Sequence, residues 1–273
     1  GTPPSHPELL DWLACDFEDS GWDVKRTLKQ IVMSAAYRQD SRATPALLER
    51  DPQNRLMARG SRFRLQGEFI RDHALAVSGL LAGEVGGPGV KPPQPPGLWK
   101  AVGYVGSNTD RFVADQGPDK VFRRSIYTFW KRTAPPPQLS TFDAPSREEC
   151  RVRRERTNTP LQALLLMNDP QYVEAARHLA QRTLRRGGAS DRERAAWLFE
   201  RATCRPAGDR DLRDMLGLLA AQRKEFAAHP DHAAALIAIG ETPPAREVTP
   251  VELASWTLVA NLVLNLDEVV TRG

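Results

Sequence analysis

At five places along this chain a helix-capping residue stands directly before a proline and just ahead of a helix-like stretch. The pairs are Thr44-Pro45, Asp51-Pro52, Thr159-Pro160, Asp169-Pro170 and Thr249-Pro250. Proline has no N–H to give, and the first helical position is where none is needed. The preceding Thr or Asp oxygen meanwhile accepts a bond from an orphan N–H. Each pair therefore predicts a helix start. Ser5 with Glu8, Ser190 with Glu193 and Thr249 with Glu252 add the spacing of a capping box, and Asp23 reads as a further cap. Helices are predicted at 6–19, 23–37, 45–59, 65–82, 160–167, 170–186, 191–203, 209–228 and 250–265. In the first two, Leu9, Leu10, Leu13 and Phe17, then Val24, Leu28, Ile31, Val32 and Ala35, recur at helical spacing.

One region breaks this pattern. From Gly83 to Gly106, 7 glycines and 5 prolines fill 24 positions, and "GGPGVKPPQPPG" excludes helix interior and central strand. A long irregular loop is predicted over 83–118. Trp99, Tyr104 and Phe112 within it argue for packing onto the body. "KVFRRSIYTFWKR" follows, with Phe122, Ile126, Phe129 and Trp130 at i, i+4, i+7 and i+8; helix is favoured and strand is the alternative. Three prolines, 135–137, are expected to stop that helix and project Trp130, Lys131 and Arg132 from its end. Residues 209–240 read as a helical hairpin. Neither an internal repeat nor βαβ alternation is apparent. The chain reads as mainly α: an irregular helical body, 1–186, carrying the loop, and C-terminal bundle helices, 187–273, packed on the same domain.

Composition narrows the function classes. The 273 residues carry 38 basic and 34 acidic side chains. The basic residues are dispersed among acidic neighbours, as in "SDRERAAWLFER", which reads as solvated helix faces rather than a nucleic-acid stripe. The longest apolar run, "WTLVANLVLNL", holds 11 residues and two asparagines, against about 20 for a membrane span. Cys15, Cys150 and Cys204 form neither CxxC nor CxxCH, so no zinc ribbon or haem attachment is encoded here. The start "GTPPSHPELL", without a Met or signal peptide, reads as part of a longer protein whose targeting signal lies upstream.

Chemistry-bearing residues concentrate in 129–169. Asp143, Arg147, Glu148 and Glu149 are followed by Arg151, Arg153, Arg154, Arg156 and Asn158. Arg forks recognise carboxylates, sulfates and phosphates, and Asp143 with Glu148 offers a pair for acid–base work. The competing reading is an Arg–carboxylate network that braces a loop. Trp99, Tyr104 and Trp130 could stack on sugar rings while Arg132, Arg147 and Arg154 hold anionic groups. A thiolate at Cys150 would be favoured by the surrounding arginines, with a structural thiol as the plainer reading. His73 reads as a satisfied core or interface side chain. His229 and His232 stand at i, i+3 with no third metal ligand in view, so no metal site is assigned. GxGxxG, Walker, HExxH and GxSxG motifs are not found.

Several stretches together resemble one family. They are "SHPELLDWLACDFEDSGWDVKRTLKQIVMSAAYRQDS", "DPQNRLMARGSRFRLQGEFIRDHALAVSGLL", "GGPGVKPPQPPGLW", "FRRSIYTFWKRTAPPPQLSTFDAPSREECRVRRERTNTPLQALLLMNDP" and "NLVLNLDEVVTRG". They are similar to the planctomycete secreted domain 1 family, a domain of unknown function (DUF1553). The resemblance implies a secreted or periplasmic setting, in the C-terminal part of a protein whose upstream part often carries a c-type cytochrome domain and a companion domain. It brings no established catalytic residues. The expected function is a module that binds an upstream domain of the same polypeptide or a polysaccharide. The alternatives are a carbohydrate-active or oxidoreductase domain, and a purely structural docking domain.

Overall fold

The computed structural model describes residues 3–107 and 109–272. The helices are α1 (Pro7–Asp19), α2 (Val24–Met33), α3 (Pro45–Arg50), α4 (Gly67–Ser78), α5 (Pro118–Val121), α6 (Pro137–Ser140), α7 (Pro160–Asn168), α8 (Pro170–Arg186), α9 (Asp191–Thr203), α10 (Asp209–Ala228), α11 (Pro230–Ile237), α12 (Pro250–Leu264) and α13 (Asp267–Val270). The two-residue strands β1 (Phe63–Arg64) and β2 (Thr271–Arg272) make the small sheet. The fold is mainly α, as the caps predicted. Two compact units divide it: Gly1–Phe63 with Thr271–Gly273, and Arg64–Val270. The boundary read at 186/187 falls inside the second unit, between α8 and α9, which pack on each other.

Most of the caps form. Asp23, Thr44, Asp169 and Thr249 accept from backbone N–H groups of Arg26, Leu47, Gln171 and Glu252. The Ser190–Glu193 box is complete, with Glu193 Oε2 2.9 Å from Ser190 N. Two boxes fail. Pro7 starts α1 one residue late, so His6 holds the cap position and Ser5 Oγ lies against His6 Nδ1 at 3.0 Å. Glu252 turns away from Thr249 to Arg223 and to Trp256 Nε1, 2.9 Å off.

Asp51-Pro52 starts no helix, and the helix expected over 45–59 ends at Arg50. Asp51 instead folds the chain back: its carboxylate accepts from Leu56 N at 2.7 Å and Arg55 N at 2.8 Å. Those bonds hold its pKa below the usual range. Helix α2 stops at Met33 rather than 37, because the Ser34 hydroxyl takes the Ile31 carbonyl at 2.8 Å. Helix α4 stops at Gly79, whose φ of +83° only glycine adopts cheaply.

In the second unit, α12 is the central post. It is apolar all round, and ten of its fifteen residues are buried, Trp256 among them. Helix α8 packs along it, with α10 and α11 on other sides. Asn261 and Asn265, which interrupt the apolar run, donate to the Leu166 and Ala163 carbonyls of α7. No described helix is long and apolar enough to cross a membrane. The expected balance of charges also appears: Arg223 pairs with both Asp191 and Glu252, joining α9, α10 and α12.

The Gly/Pro-rich segment is irregular, as predicted. It touches the following segment through single bridges, Ala82 with Arg123 and Val90 with Thr128. The helix favoured over "KVFRRSIYTFWKR" does not form. One helical turn ends at Val121, a 3-10 turn covers Ser125–Tyr127, and the chain then extends. Side chains of α4 take the backbone groups a helix would need. Asp72 accepts from Ser125 N at 2.7 Å, while Arg71 donates to the Val121 and Arg123 carbonyls at 2.9 Å each. The prolines therefore stop no helix; Pro137 opens the short α6.

Candidate functional site

The loop-face candidates are largely spent on holding the loop. Asp143, in the left-handed region at φ 59°, accepts from Thr157 N at 2.6 Å and from Thr157 Oγ1 at 2.9 and 3.0 Å. Arg154 donates to Gln66 at 2.9 Å and pairs with Glu68 at 2.9 Å. Asn158 accepts from Arg64. Trp99 is only 7% exposed, edge-on to Phe112 at 5.2 Å with the Lys131 ammonium 4.6 Å over its ring. Trp130 donates to the Ser146 carbonyl at 2.9 Å and carries the Arg147 guanidinium 4.7 Å above its ring. Tyr104 is 84% exposed, and Arg132, Glu148 and Cys150 are exposed as well. All three cysteines are free thiols.

Beneath this face lies a buried polar knot that periodicity did not reveal. Arg71, on the inward side of α4, donates to Gln171 Oε1 at 2.8 Å and Ser125 Oγ at 3.1 Å, besides the two carbonyls. Burial lowers its pKa and raises that of Asp169. Asp169 accepts from Gln138 at 3.0 Å and caps α8. A second knot clasps the segment after α11. Glu174, fully buried, accepts from Thr242 N at 2.8 Å, Glu241 N at 2.9 Å and Arg177 at 3.1 Å. Gly240 sits against it at φ +111°, where a Cβ would overlap the Glu174 carboxyl. His178 reaches Thr242 Oγ1 at 2.7 Å, and burial pushes its pKa down to about 4. His73 is half-buried with Nε2 3.1 Å from the Ala202 carbonyl, the satisfied role expected of it. Both knots brace backbone and offer no open site.

An open cleft lies in the first unit. A cleft of about 680 Å³ lies among α1, α2 and the segment after them. Its walls include Leu9, Trp12, Ile31, Tyr37, Met57 and Phe63. A size of about 300–1,000 Å³ with apolar walls and a few polar groups is the usual make-up of a binding pocket. Here the polar groups are Gln30 Oε1 and Gln39 Oε1, shielded from solvent and without a hydrogen-bond partner. Arg59 and Arg272 also line the cleft, and no carboxylate does among the described residues. Arg272 lies 4.3 Å over the Tyr37 ring. Arg59 is anchored to the Asp51 and Pro52 carbonyls at 3.0 Å each.

The sequence marked these same faces by their helical spacing, a pattern that usually goes with burial. Instead α1, α2 and α3 contain no buried residue, and Trp12 is 52% exposed. Helical spacing says which residues share a face; it does not say what covers the face.

Comparison with known proteins adds the family. Residues 1–219 match the model described as PSD1, a protein of unknown function (DUF1553). The chain belongs to that family. The PSD1 match takes in the cleft helices, the loop face and α4 to α9, and ends within α10. The closing "NLVLNLDEVVTRG" lies outside it. No curated protein and no solved structure matches the chain.

Proposed function

We propose that this chain is a docking module whose N-terminal unit receives an amphipathic helix of a companion domain in the same polypeptide. The observation that carries the reading is the 680 Å³ cleft in a unit whose helices bury none of their own residues. A protein occupant fits better than a small molecule, because apolar exposure continues past the cleft. Val24 and Leu28, one turn apart on α2, are each more than half exposed, as are Leu10 and Trp22, and apolar surface shared by neighbouring residues marks interaction sites. Two arginines without a carboxylate in the lining favour an acidic side chain on the incoming helix. Its apolar positions would fill the cleft at i, i+3, i+4 and i+7. The extracytoplasmic setting and any c-type haem belong, on this reading, to the company the module keeps.

The test is calorimetric titration of the purified chain with the companion domain, made separately. Saturable binding that Trp12→Ala or Ile31→Asp weakens by about tenfold or more supports docking at the cleft. Binding unchanged in both variants moves the interface elsewhere, and no binding removes the reading.

A second reading rests on the loop face, where Tyr104 is exposed and Trp130 carries Arg147 over its ring. This is a place for a polysaccharide, neutral or sulfated, although Trp99 is withdrawn from it. Thermal melts with oligosaccharides of both kinds address it. A shift lost in Trp130→Ala supports the glycan, and no shift removes it.

A further inference from the structure

The hairpin of α10 and α11 assembles a group that the sequence offered only in part. His229 closes α10, its N–H bonding to the Glu225 carbonyl at 2.9 Å, and Pro230 opens α11 directly after it. The sharp corner brings His232 back beside His229, the two rings stacked at 15° with centroids 5.1 Å apart. Glu225, one turn earlier on α10, places Oε1 3.1 Å from His229 Nδ1. One ligand atom from each of Glu225, His229 and His232 lies within 4.8 Å of the others.

We propose that Glu225, His229 and His232 bind a divalent transition-metal ion of the zinc class. Two imidazoles and a carboxylate are the donor set that zinc takes with three protein ligands, keeping further positions open. Bonds of about 2.0–2.2 Å would put tetrahedral ligand atoms roughly 3.4 Å apart. All three side chains are exposed, so small rotations close the remaining gap. His232 Nε2 faces Asp231 at 3.8 Å, which leaves Nδ1 for the metal and supplies an outer carboxylate to orient the ring. The ion would replace the Glu225–His229 pair and clip the last turn of α10 to the first turn of α11. Exposure leaves the open positions to water or to a ligand from outside. By the usual affinity order copper and nickel would bind as well.

The experiment uses the whole chain, stripped with a chelator and titrated with zinc chloride by calorimetry, and with cobalt chloride by visible absorption. The expected result is one equivalent bound in the micromolar range, with cobalt bands of a tetrahedral or five-coordinate site. His229→Ala, His232→Ala and Glu225→Gln should each weaken binding by about tenfold or more. His6→Ala, a histidine outside the three-residue group, should leave it unchanged. Far-UV circular dichroism checks that the exposed substitutions keep the fold. Binding that survives His229→Ala, that ignores Glu225→Gln, or that appears only at millimolar metal overturns the three-ligand site.

Discussion

Helix α2 and helix α12 both announce themselves by apolar residues, yet they end in opposite conditions. The first carries an apolar stripe beside charged residues and buries nothing; the second is apolar all round and buries ten of fifteen residues. The difference shows that amphipathicity is a statement about demand. An apolar stripe requires a partner surface, and within its own unit α2 finds only the rim of an open cleft. Helix α12 finds α8, α10 and α11. On the docking proposal the first unit is half of an interface; the second has a finished core.

The sharpest way to break this contrast is to cut into both regions. Trp256→Ala should cost about 3–5 kcal/mol, since a fully buried indole leaves a cavity. If urea melts show less than about 1 kcal/mol, α12 is not the post the packing makes it. Arg71→Ala should follow at about 3 kcal/mol, because it strands Gln171 and two carbonyls in a buried site. Arg71→Lys should rescue little, because one ammonium cannot span the partners that the planar fork reaches.

A pH titration refines the picture of the finished unit. Burial first, and then Arg177, hold His178 at about 4, against about 6.5 in an unfolded chain. Between those values the unfolded chain takes up a proton that the folded chain refuses, so stability falls as pH drops from about 6.5 to 4. Partial exposure reduces the effect to roughly 1–2 kcal/mol. Asp169, whose pKa is raised by burial, works in the opposite sense, so the readout is the difference between the parent and His178→Gln. That variant should lose the slope assigned to His178; an unchanged curve would place the titration elsewhere. The smallest effect belongs to the first unit. Leu28→Ala, with a side chain already more than half exposed, should change stability by less than about 0.5 kcal/mol. A loss as large as that of Trp256→Ala would mean that the N-terminal helices have a core of their own.

Much of the fold was legible because the signals were local. Thr44, Asp169, Ser190 and Thr249 cap where their spacing placed them, and the loop after Gly83 is as irregular as its prolines require. What escaped was decided at long range. Arg71 and Asp72 unmake the helix expected after Val121 from fifty residues away, and no pattern within "KVFRRSIYTFWKR" could say so. The polar density of 129–169 read equally as site or brace. The bonds of Asp143 to Thr157 and of Arg154 to Glu68 are braces. The cleft was written in the stripes of α1 and α2, but as a face without an address. Glu225 went unnoticed beside the histidines because a helix turn, not adjacency, brings it to them.

The place of α12 in the chain also has a consequence for biosynthesis. It follows α8, its main companion, by about 80 residues. At roughly 5–20 residues per second, a ribosome takes about 4–16 s to make that interval. Throughout it, α8 has α4, α7 and α9 to pack on but lacks the helix with which it makes its largest contact. The second unit cannot complete itself while it is being made. A nascent chain stalled before residue 250 would hold the packed pairs of α4, α8, α9 and α10 around an unfilled centre, exposing apolar surface that a holding chaperone would bind.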